Sequence, residues 1–407
     1  MHILFLTDNF PPEGNAPATR TFEHAREWVD KGHKVTVITC APNFPEGKVF
    51  EGYKNRWLSK DKIDGINVWR VKTYITANEG FIKRTIDFVS FMVSSLFFGL
   101  FTLKVDVVIG TSPQFFTVIS AWTLAKLKRA PFVFELRDLW PASITAVGAM
   151  RGSWIIDLLE KLELFLYRQA DLIVSVTTSF KSELQNRGVS GDKIKIVLNG
   201  VDLERYDPLQ EKDESLTNKY ELNNKFVIGY IGTHGLAHAL ENVIEAAELI
   251  AKEDHIRIIF VGGGADRARL EKIVCERGLE NIVMIPRQPK DQMRQVWSLC
   301  DISLVHLKDS PLFKTVIPSK IFESMAMGLP ILMAVPIGEA TDIIEKYRAG
   351  INVSPGCPKE LSEKFLTLAK DKELVGALSY QSLNAARNFD RKNLALEMLN
   401  HIEEVVS

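Results

Sequence analysis

Short apolar runs alternate along the chain with longer stretches of helical periodicity, and this rhythm occurs twice. In the first half, runs at 2–6, 34–39, 67–71, 106–109, 132–135, 172–176 and 195–197 are rich in β-branched and aromatic residues, as strands require. Intervening helices predict a parallel sheet covered on both faces. The first helix is expected over about 19–30, closed by Lys31-Gly32-His33 before the next strand. A polar, charge-rich stretch at 203–225 follows, and the rhythm restarts with strands expected at 226–231, 256–261, 281–285, 302–306, 330–334 and 350–353.

The fold class expected is therefore α/β, with two doubly wound, Rossmann-like domains. They divide as 1–202 and 203–391, with the turn-forming Asn199-Gly200-Val201-Asp202 at the junction. Residues 392–407 read as a final helix long enough to return to the first domain. Open α/β sheets bind ligands outside the carboxyl ends of their strands, so two such sheets are expected to face across a cleft. Loops that directly follow strands are where chemistry is sought.

At 407 residues the chain exceeds one ordinary core, which agrees with two domains. Its 46% hydrophobic and 25% charged residues sit at the globular average, which excludes a disordered or fibrous class. A net charge of -1 provides no bulk attraction for nucleic acid. Cys40, Cys275, Cys300 and Cys357 form no C-x-x-C pair and resemble neither a zinc site nor a disulfide framework. The N-terminus has no basic n-region and no cleavage site, so a cytoplasmic location is expected.

One segment points toward a membrane surface. From Phe88 to Leu103 there is no charge, while Lys83, Arg84 and Lys104 flank the run. A helix of that length spans roughly 24 Å, short of the roughly 30 Å hydrocarbon core. Two readings stand: a helix packed in the first domain, or a Phe-rich face docked on anionic headgroups.

Several loops could hold a ligand. The loop after the first strand carries two adjacent prolines and Gly14, whose missing side chain would let backbone N–H groups approach a sugar or phosphate. It does not match the dinucleotide fingerprint. In the second half, Gly232-Thr233-His234-Gly235 follows a strand and suits a pyrophosphate cradle at a helix start. Gly262-Gly263-Gly264 suits either ligand contact or a tight strand-to-helix turn. The strongest constellation is Pro318-Ser319-Lys320 with Glu323, bracketing a short helix over about 319–327. There Lys320 and free N–H groups would neutralise phosphate, and the Glu323 carboxylate would accept from a ribose diol. A capping box needs its acid three residues after the cap, and Glu323 lies four after Ser319. A surface pair between Lys320 and Glu323 is the competing explanation.

At these residues the chain resembles the retaining family 4 glycosyltransferases of the GT-B fold, in particular the WbuB-like branch that builds bacterial O-antigen and capsule repeats. The resemblance rests on Phe10-Pro11-Pro12-Glu13-Gly14, Gly32-His33-Lys34-Val35-Thr36-Val37, Arg137-Asp138-Leu139-Trp140-Pro141 and Asn199-Gly200-Val201-Asp202. It continues through Gly232-Thr233-His234-Gly235, the glycine run at 262–264, and the segment from Pro318 to Pro330. In that family the second glutamate of an E-x7-E pattern binds the ribose, and Glu323 matches it. The first acid's position is Thr315 here, and the Arg and Lys that many members place after the first strand of the second domain are missing. The resemblance then leaves phosphate charge to Lys320, with Arg287 or Lys314 as further cations. Arg137 stands where many members carry a histidine, and Asp138 beside it is the candidate contact for the acceptor hydroxyl.

What the resemblance implies is transfer of a sugar, of the N-acetylated hexosamine type, from a UDP-sugar to a lipid-linked diphosphate sugar, with retention. The donor site would comprise Gly14, Gly232, Thr233, His234, Gly263, Arg287, Thr315, Pro318, Ser319, Lys320 and Glu323, with Lys320, Arg137 and Asp138 catalytic. No Asp-x-Asp motif occurs, so no metal or other cofactor is expected. The alternatives are a UDP-sugar 2-epimerase of the same two-domain shape and a non-catalytic sugar-binding protein.

Overall fold

The computed structural model describes residues 1–44, 46–76, 81–139, 154–209 and 211–407. They form two compact units, Met1–Asn199 with Arg391–Ser407, and Gly200–Asp390. The first crossing thus lies slightly earlier than the junction expected at 202. Its cause is local: Val201 forms a parallel bridge with Asp390, and its N–H donates to the Phe389 carbonyl at 2.9 Å, inside the second unit.

The first unit contains strands β1 (His2–Leu6), β2 (Lys34–Cys40), β3 (Leu58–Ile63), β4 (Ile66–Val71), β5 (Val107–Thr111), β6 (Phe132–Leu136), β7 (Leu172–Ser175) and β8 (Ile194–Ile196). Their order is β3-β4-β2-β1-β5-β6-β7-β8, and only β3 runs antiparallel, against β4. β3 was not expected from sequence. Its Lys60, Asp61 and Lys62 are exposed on an edge strand, where charge protects against further pairing and makes the segment read as loop. The central strands β1, β5 and β6 are buried throughout, as a sheet covered on both faces requires.

Five helices are described here: α1 (Ala16–Asp30), α2 (Phe81–Leu100), α3 (Phe115–Lys128), α4 (Trp154–Gln169) and α5 (Thr178–Asn186). α1 starts before position 19 because the Asn15 side chain caps it, accepting from Ala18 N at 2.9 Å, with Pro17 in its first turn. It ends as expected at Gly32, whose φ of +86° is the left-handed conformation of a helix stop. The C-terminal helix Arg391–Val406 packs on α1, where Trp28 Nε1 donates to the Ala395 carbonyl at 2.8 Å. Leu394, Met398, Leu399 and Ile402 join the core beneath β1.

α2 divides the apolar segment between a buried face and an exposed one. Phe91 and Ser95 are buried, and the Ser95 hydroxyl meets that of Ser120 on α3 at 3.0 Å. Val93, Phe97, Leu100 and, just beyond the helix, Phe101 and Leu103 are exposed. Among the described residues no helix is long and apolar enough to cross a membrane.

The second unit has strands β9 (Phe226–Ile231), β10 (Ile256–Gly262), β11 (Ile282–Pro286), β12 (Ile302–His306), β13 (Ile331–Ala334) and β14 (Gly350–Val353), all parallel in the order β11-β10-β9-β12-β13-β14. Its helices are α6 (Glu214–Lys219), α7 (Glu241–Leu249), α8 (Arg267–Glu276), α9 (Met293–Ser298), α10 (Lys320–Ala326), α11 (Glu339–Tyr347), α12 (Pro358–Lys370) and α13 (Lys372–Ala386). Strand order reverses between β9 and β12 here and between β1 and β5 in the first unit. Such switch points open a crevice at the carboxyl ends.

Candidate functional site

In the second unit the crevice between β9 and β12 is floored by the loop after β9 and flanked by α10. Ser324 anchors that helix: its buried hydroxyl bridges Ser303 on β12 at 2.6 Å and the Lys320 carbonyl at 2.7 Å. Phe322 packs against Phe389 at 4.6 Å between ring centroids. So held, α10 sends Lys320 inward, with Nζ 3.7 Å from the centroid of the Tyr230 ring. A methyl group on Gly232, which stands at φ +149°, would meet Nζ at 2.7 Å, so a side chain there would push the ammonium from its place over this loop. Nζ is buried and has no hydrogen-bond partner among the described residues. Burial lowers its pKa to about 7, while Glu323 acts in the opposite sense. An unpaired buried cation is costly unless a ligand completes it. The inward position also removes the surface-pair explanation for Lys320 and Glu323.

Other residues named from sequence fall differently. His234 was expected within a pyrophosphate cradle formed by residues 232–235. Its ring is wholly buried, about 6 Å from both Tyr230 and Phe260, and neither nitrogen has a partner. Burial, with the positive charges of Arg267 and Lys320, lowers its pKa to about 4, so it is neutral packing under the loop. Gly262 and Gly264 are needed sterically, since added methyl groups would strike the Gly232 and His234 carbonyls at 2.0 and 2.3 Å. Gly263 faces open space and accepts from His234 N at 2.9 Å.

The N–H groups of Ile321 and Phe322, expected free for phosphate, donate instead to the Pro318 and Ser319 carbonyls at 3.1 Å each. Ser319 makes no side-chain cap. The Thr315 hydroxyl donates to the Leu312 carbonyl at 3.2 Å in a short 3₁₀ turn that also contains Lys314. Arg287 is exposed just past the edge strand β11, away from the switch point. Thr233 lends its carbonyl to the Tyr230 hydroxyl at 2.7 Å.

Sequence reasoning missed three residues of this site. Tyr230 supplies the ring under Lys320. His306, the last residue of β12, uses Nδ1 to hold the His238 carbonyl at 2.7 Å and so ties the β9 loop to β12. Arg267 donates to the Gly262 and Ile285 carbonyls at 2.6 and 2.8 Å. Tyr230 lies one residue before the end of β9 and His306 ends β12, both at the switch point, a positional signal available from the strand pattern itself.

In the first unit, Asp8 follows β1 and its carboxylate accepts from the Gln114 amide across the switch point to β5. Burial, then the neighbouring Asp87 and Glu13, hold its pKa well above the usual carboxylate value. Gly14 is exposed beside the buried Glu13. Arg137 follows β6, and Ser112 Oγ accepts from its N–H at 2.8 Å and from that of Asp138 at 3.2 Å. Arg137 is half-buried, its enclosed Nε and Nη1 have no hydrogen-bond partner among the described residues, and burial lowers its pKa to about 10. Trp140 and Pro141 lie outside the described residues. Arg137 and Asp138 belong to the first unit and Lys320 and Glu323 to the second.

Two protein-family models match this chain: Glycosyltransferase Family 4 over residues 18–205 and Glycosyl transferases group 1 over 211–384. WcaI of Escherichia coli strain K12, named for colanic acid biosynthesis, is 31% identical over 336 residues, 81% of this chain and 82% of WcaI. The chain belongs to the family 4 glycosyltransferases. WbjE of Pseudomonas aeruginosa, named as a glycosyltransferase, is 26% identical over 57% of this chain and 58% of its own. Among solved structures, sucrose-phosphate synthase of Thermosynechococcus elongatus aligns at TM-score 0.79 with 14% identity, covering 99% of this chain and 98% of that one. HepE of Anabaena aligns at 0.73 with 17% identity, covering 99% and 100%. These likenesses establish the GT-B fold of two Rossmann-like domains. In this glycosyltransferase the group 1 match contains the Lys320 crevice, and the family 4 match contains Arg137 and Asp138.

Proposed function

We propose that this glycosyltransferase moves an N-acetylated hexosamine, with retention, from a UDP-sugar to a polyprenyl-diphosphate-linked sugar during assembly of a bacterial surface polysaccharide. The observation that carries the reading is the buried, unpartnered Lys320 ammonium over Gly232 and Tyr230. Departure of a nucleoside diphosphate builds negative charge, and a fixed cation in a dry crevice stabilises that charge where it develops. A uridine nucleotide agrees with HepE, a protein of this fold solved with UDP and with UDP-glucose. A polysaccharide role agrees with the name of WcaI.

Glu323 is assigned the ribose diol. A thermal-shift screen of UDP, GDP, ADP and their sugars is expected to show stabilisation by uridine nucleotides, with turnover unchanged by EDTA. Glu323→Gln should weaken UDP binding roughly ten- to hundredfold, the range of a hydrogen bond to a charged group. UDP stabilisation unchanged in Glu323→Gln would overturn this assignment, and preference for a guanine nucleotide would redirect the donor.

The acceptor reading places the first unit on a membrane. Phe97 and Phe101 are 55% and 65% exposed, Leu127 on α3 and Trp154 and Leu158 on α4 add to the exposed apolar surface, and Lys83, Arg84 and Lys104 are exposed beside α2. Exposed apolar side chains with cations at both ends of the segment suit an anionic leaflet. The double variant Phe97→Asp, Phe101→Asp is expected to lose flotation with vesicles containing phosphatidylglycerol while retaining activity on a short-chain, water-soluble acceptor. Flotation equal to that of the unaltered enzyme would refute docking through this face.

A further inference from the structure

The geometry points to His306 as a positioning residue for the departing diphosphate, one that fastens the turn after β9 and so holds Tyr230 closed over Lys320; this rests on the role proposed above for Lys320. His306 ends β12 and is only 1% exposed. What it meets is the loop and not the nucleotide.

Two short bonds button the turn Leu236–His238 to the end of β12. His306 Nδ1 donates to the His238 carbonyl at 2.7 Å, and Lys308 N donates to the Ala237 carbonyl at 2.9 Å. His238 Nδ1 returns a longer bond to the His306 carbonyl at 3.4 Å. β12 is a fixed post for this fastening, since Leu307 N donates to the Ala334 carbonyl at the end of β13 at 3.0 Å. The turn needs it. Ala239 stands at φ +43°, in the left-handed region, which a residue with a side chain keeps only where its surroundings over-determine it. Leu236 is 73% exposed, so packing does not hold the turn at its outer end.

The fastened turn in turn shapes the Lys320 crevice. The His238 ring meets the Tyr230 ring edge-on at 5.9 Å between centroids, and Tyr230 carries the Lys320 ammonium on its face. The Tyr230 hydroxyl donates to the Thr233 carbonyl at 2.7 Å, so ring and loop move as one piece. Releasing the turn frees that piece and admits water to Nζ. The charges agree with this division of labour. Around the ammonium stand Glu323 on α10, Tyr230 on β9, and His234, His238 and His306, with Arg267 and Asp266 acting on His234. Burial, with the Lys320 charge added, lowers both His238 and His306 to about 4. Both rings are therefore neutral at pH 7. They donate through Nδ1 without adding a second cation to compete with Lys320 for the diphosphate.

Calorimetric titration of UDP into the full chain, in buffers of different ionisation enthalpy, tests the assignment with His306→Leu, His306→Asn and Lys320→Met. Leucine fills the site without a donor, whereas asparagine keeps an N–H near the place of Nδ1. His306→Leu is expected to weaken UDP binding roughly tenfold at pH 7, the scale of a slightly misplaced charged contact. It should also take up less than about half as many protons at pH 8, because water at Nζ returns its pKa toward 10.5 and the ammonium exists before UDP arrives. The pH above which UDP affinity declines then moves upward. His306→Asn should restore both readouts. Lower affinity and lower melting temperature with unchanged proton uptake would make His306 a fold residue only and overturn the assignment. So would UDP affinity equal to that of the unaltered enzyme in His306→Leu, or His306→Asn as impaired as His306→Leu. Should His306→Leu not fold, His306→Ser, whose hydroxyl is one bond too short for the carbonyl, carries the same expectations. Failure of the Lys320 reading is distinct: the unaltered enzyme shows no proton uptake, or Lys320→Met retains it, and the His306 assignment falls with it.

Discussion

Replacing Lys320 by methionine is expected to lower kcat/KM for the nucleotide sugar by about 10²–10³-fold, equivalent to about 3–4 kcal/mol, while leaving the free protein at least as stable. The two halves have one cause. The ammonium lies buried over the Tyr230 ring without a hydrogen bond, so the unliganded fold carries a charge it does not satisfy. A methionine of similar length removes that desolvation cost, and with it the charge available to the leaving diphosphate. Steady-state kinetics and thermal melts of the same preparation check both halves. A loss of activity below threefold, or a marked drop in melting temperature, would contradict the account.

The pH dependence follows with a definite sign. Burial brings the Lys320 pKa from 10.5 to about 7 in the folded state. Between those values the unfolded chain binds more protons than the folded one, so the stability of the free enzyme rises with pH across that window. The cost of the buried charge is complete below about pH 7 and disappears as pH rises through 10.5. UDP selects the ammonium form, so its affinity is expected to be highest below about pH 7 and to decline at alkaline pH, with proton uptake on binding near pH 8. Calorimetry in buffers of different ionisation enthalpy measures that uptake, and Lys320→Met should abolish it.

Arg20→Met is expected to destabilise the enzyme by about 3–5 kcal/mol, the cost of breaking a buried ion pair from one side. Arg20 lies on α1 almost without exposure, and its Nε donates to Glu135 Oε1 at 2.8 Å. Its other nitrogens donate to the Val197 carbonyl at 3.1 Å, the Leu198 carbonyl at 2.8 Å and Asn199 Oδ1 at 3.1 Å. One guanidinium therefore fastens α1, β6 and the last residues before the crossing into the second unit. Without it, Glu135 stays buried near Arg137 and three acceptors lose their donor. Burial pushes the Glu135 carboxyl up, yet Arg20 and then Arg137 bring it below its ordinary value. The stabilisation it contributes is present above the ordinary carboxylate range and fades as pH falls through the lowered value. Urea denaturation at neutral pH and near pH 4 should show the gap between Arg20→Met and the parent enzyme narrowing in acid. Adding Glu135→Gln to Arg20→Met should restore part of the loss, because the orphaned charge is gone.

Arg20 was invisible as a structural residue in the sequence, where it stands near the start of the first expected helix with no partner nearby. Its partners lie more than a hundred positions away, at Glu135 and at 197–199. Lys320 and Glu323 were legible because helix punctuation brackets them within a few residues, and a motif so local survives reading along one dimension. The imidazole of His234 was misread for the opposite reason. Its neighbours in sequence, Gly232 and Gly235, suggest an open cradle, whereas its neighbours in space, Tyr230 and Phe260, enclose it. The charged edge strand β3 failed for a similar reason, since its pairing partner β4 rather than its own periodicity makes it a strand.

Apart from β3, the alternation of strands and helices, the division into two α/β units and a short helix near 320–326 were determined by the sequence alone. Hydrophobic periodicity and helix punctuation are short-range, and in a doubly wound fold they leave little topological freedom. Only the tertiary structure decided which side chains are enclosed. It turned Lys320 inward over Tyr230 and Gly232, enclosed the His234 ring, and split the faces of α2 between core and surface. Burial, and the desolvation that shifts the pKa of Lys320, Asp8 and Arg137, depends on residues that meet only when distant segments pack.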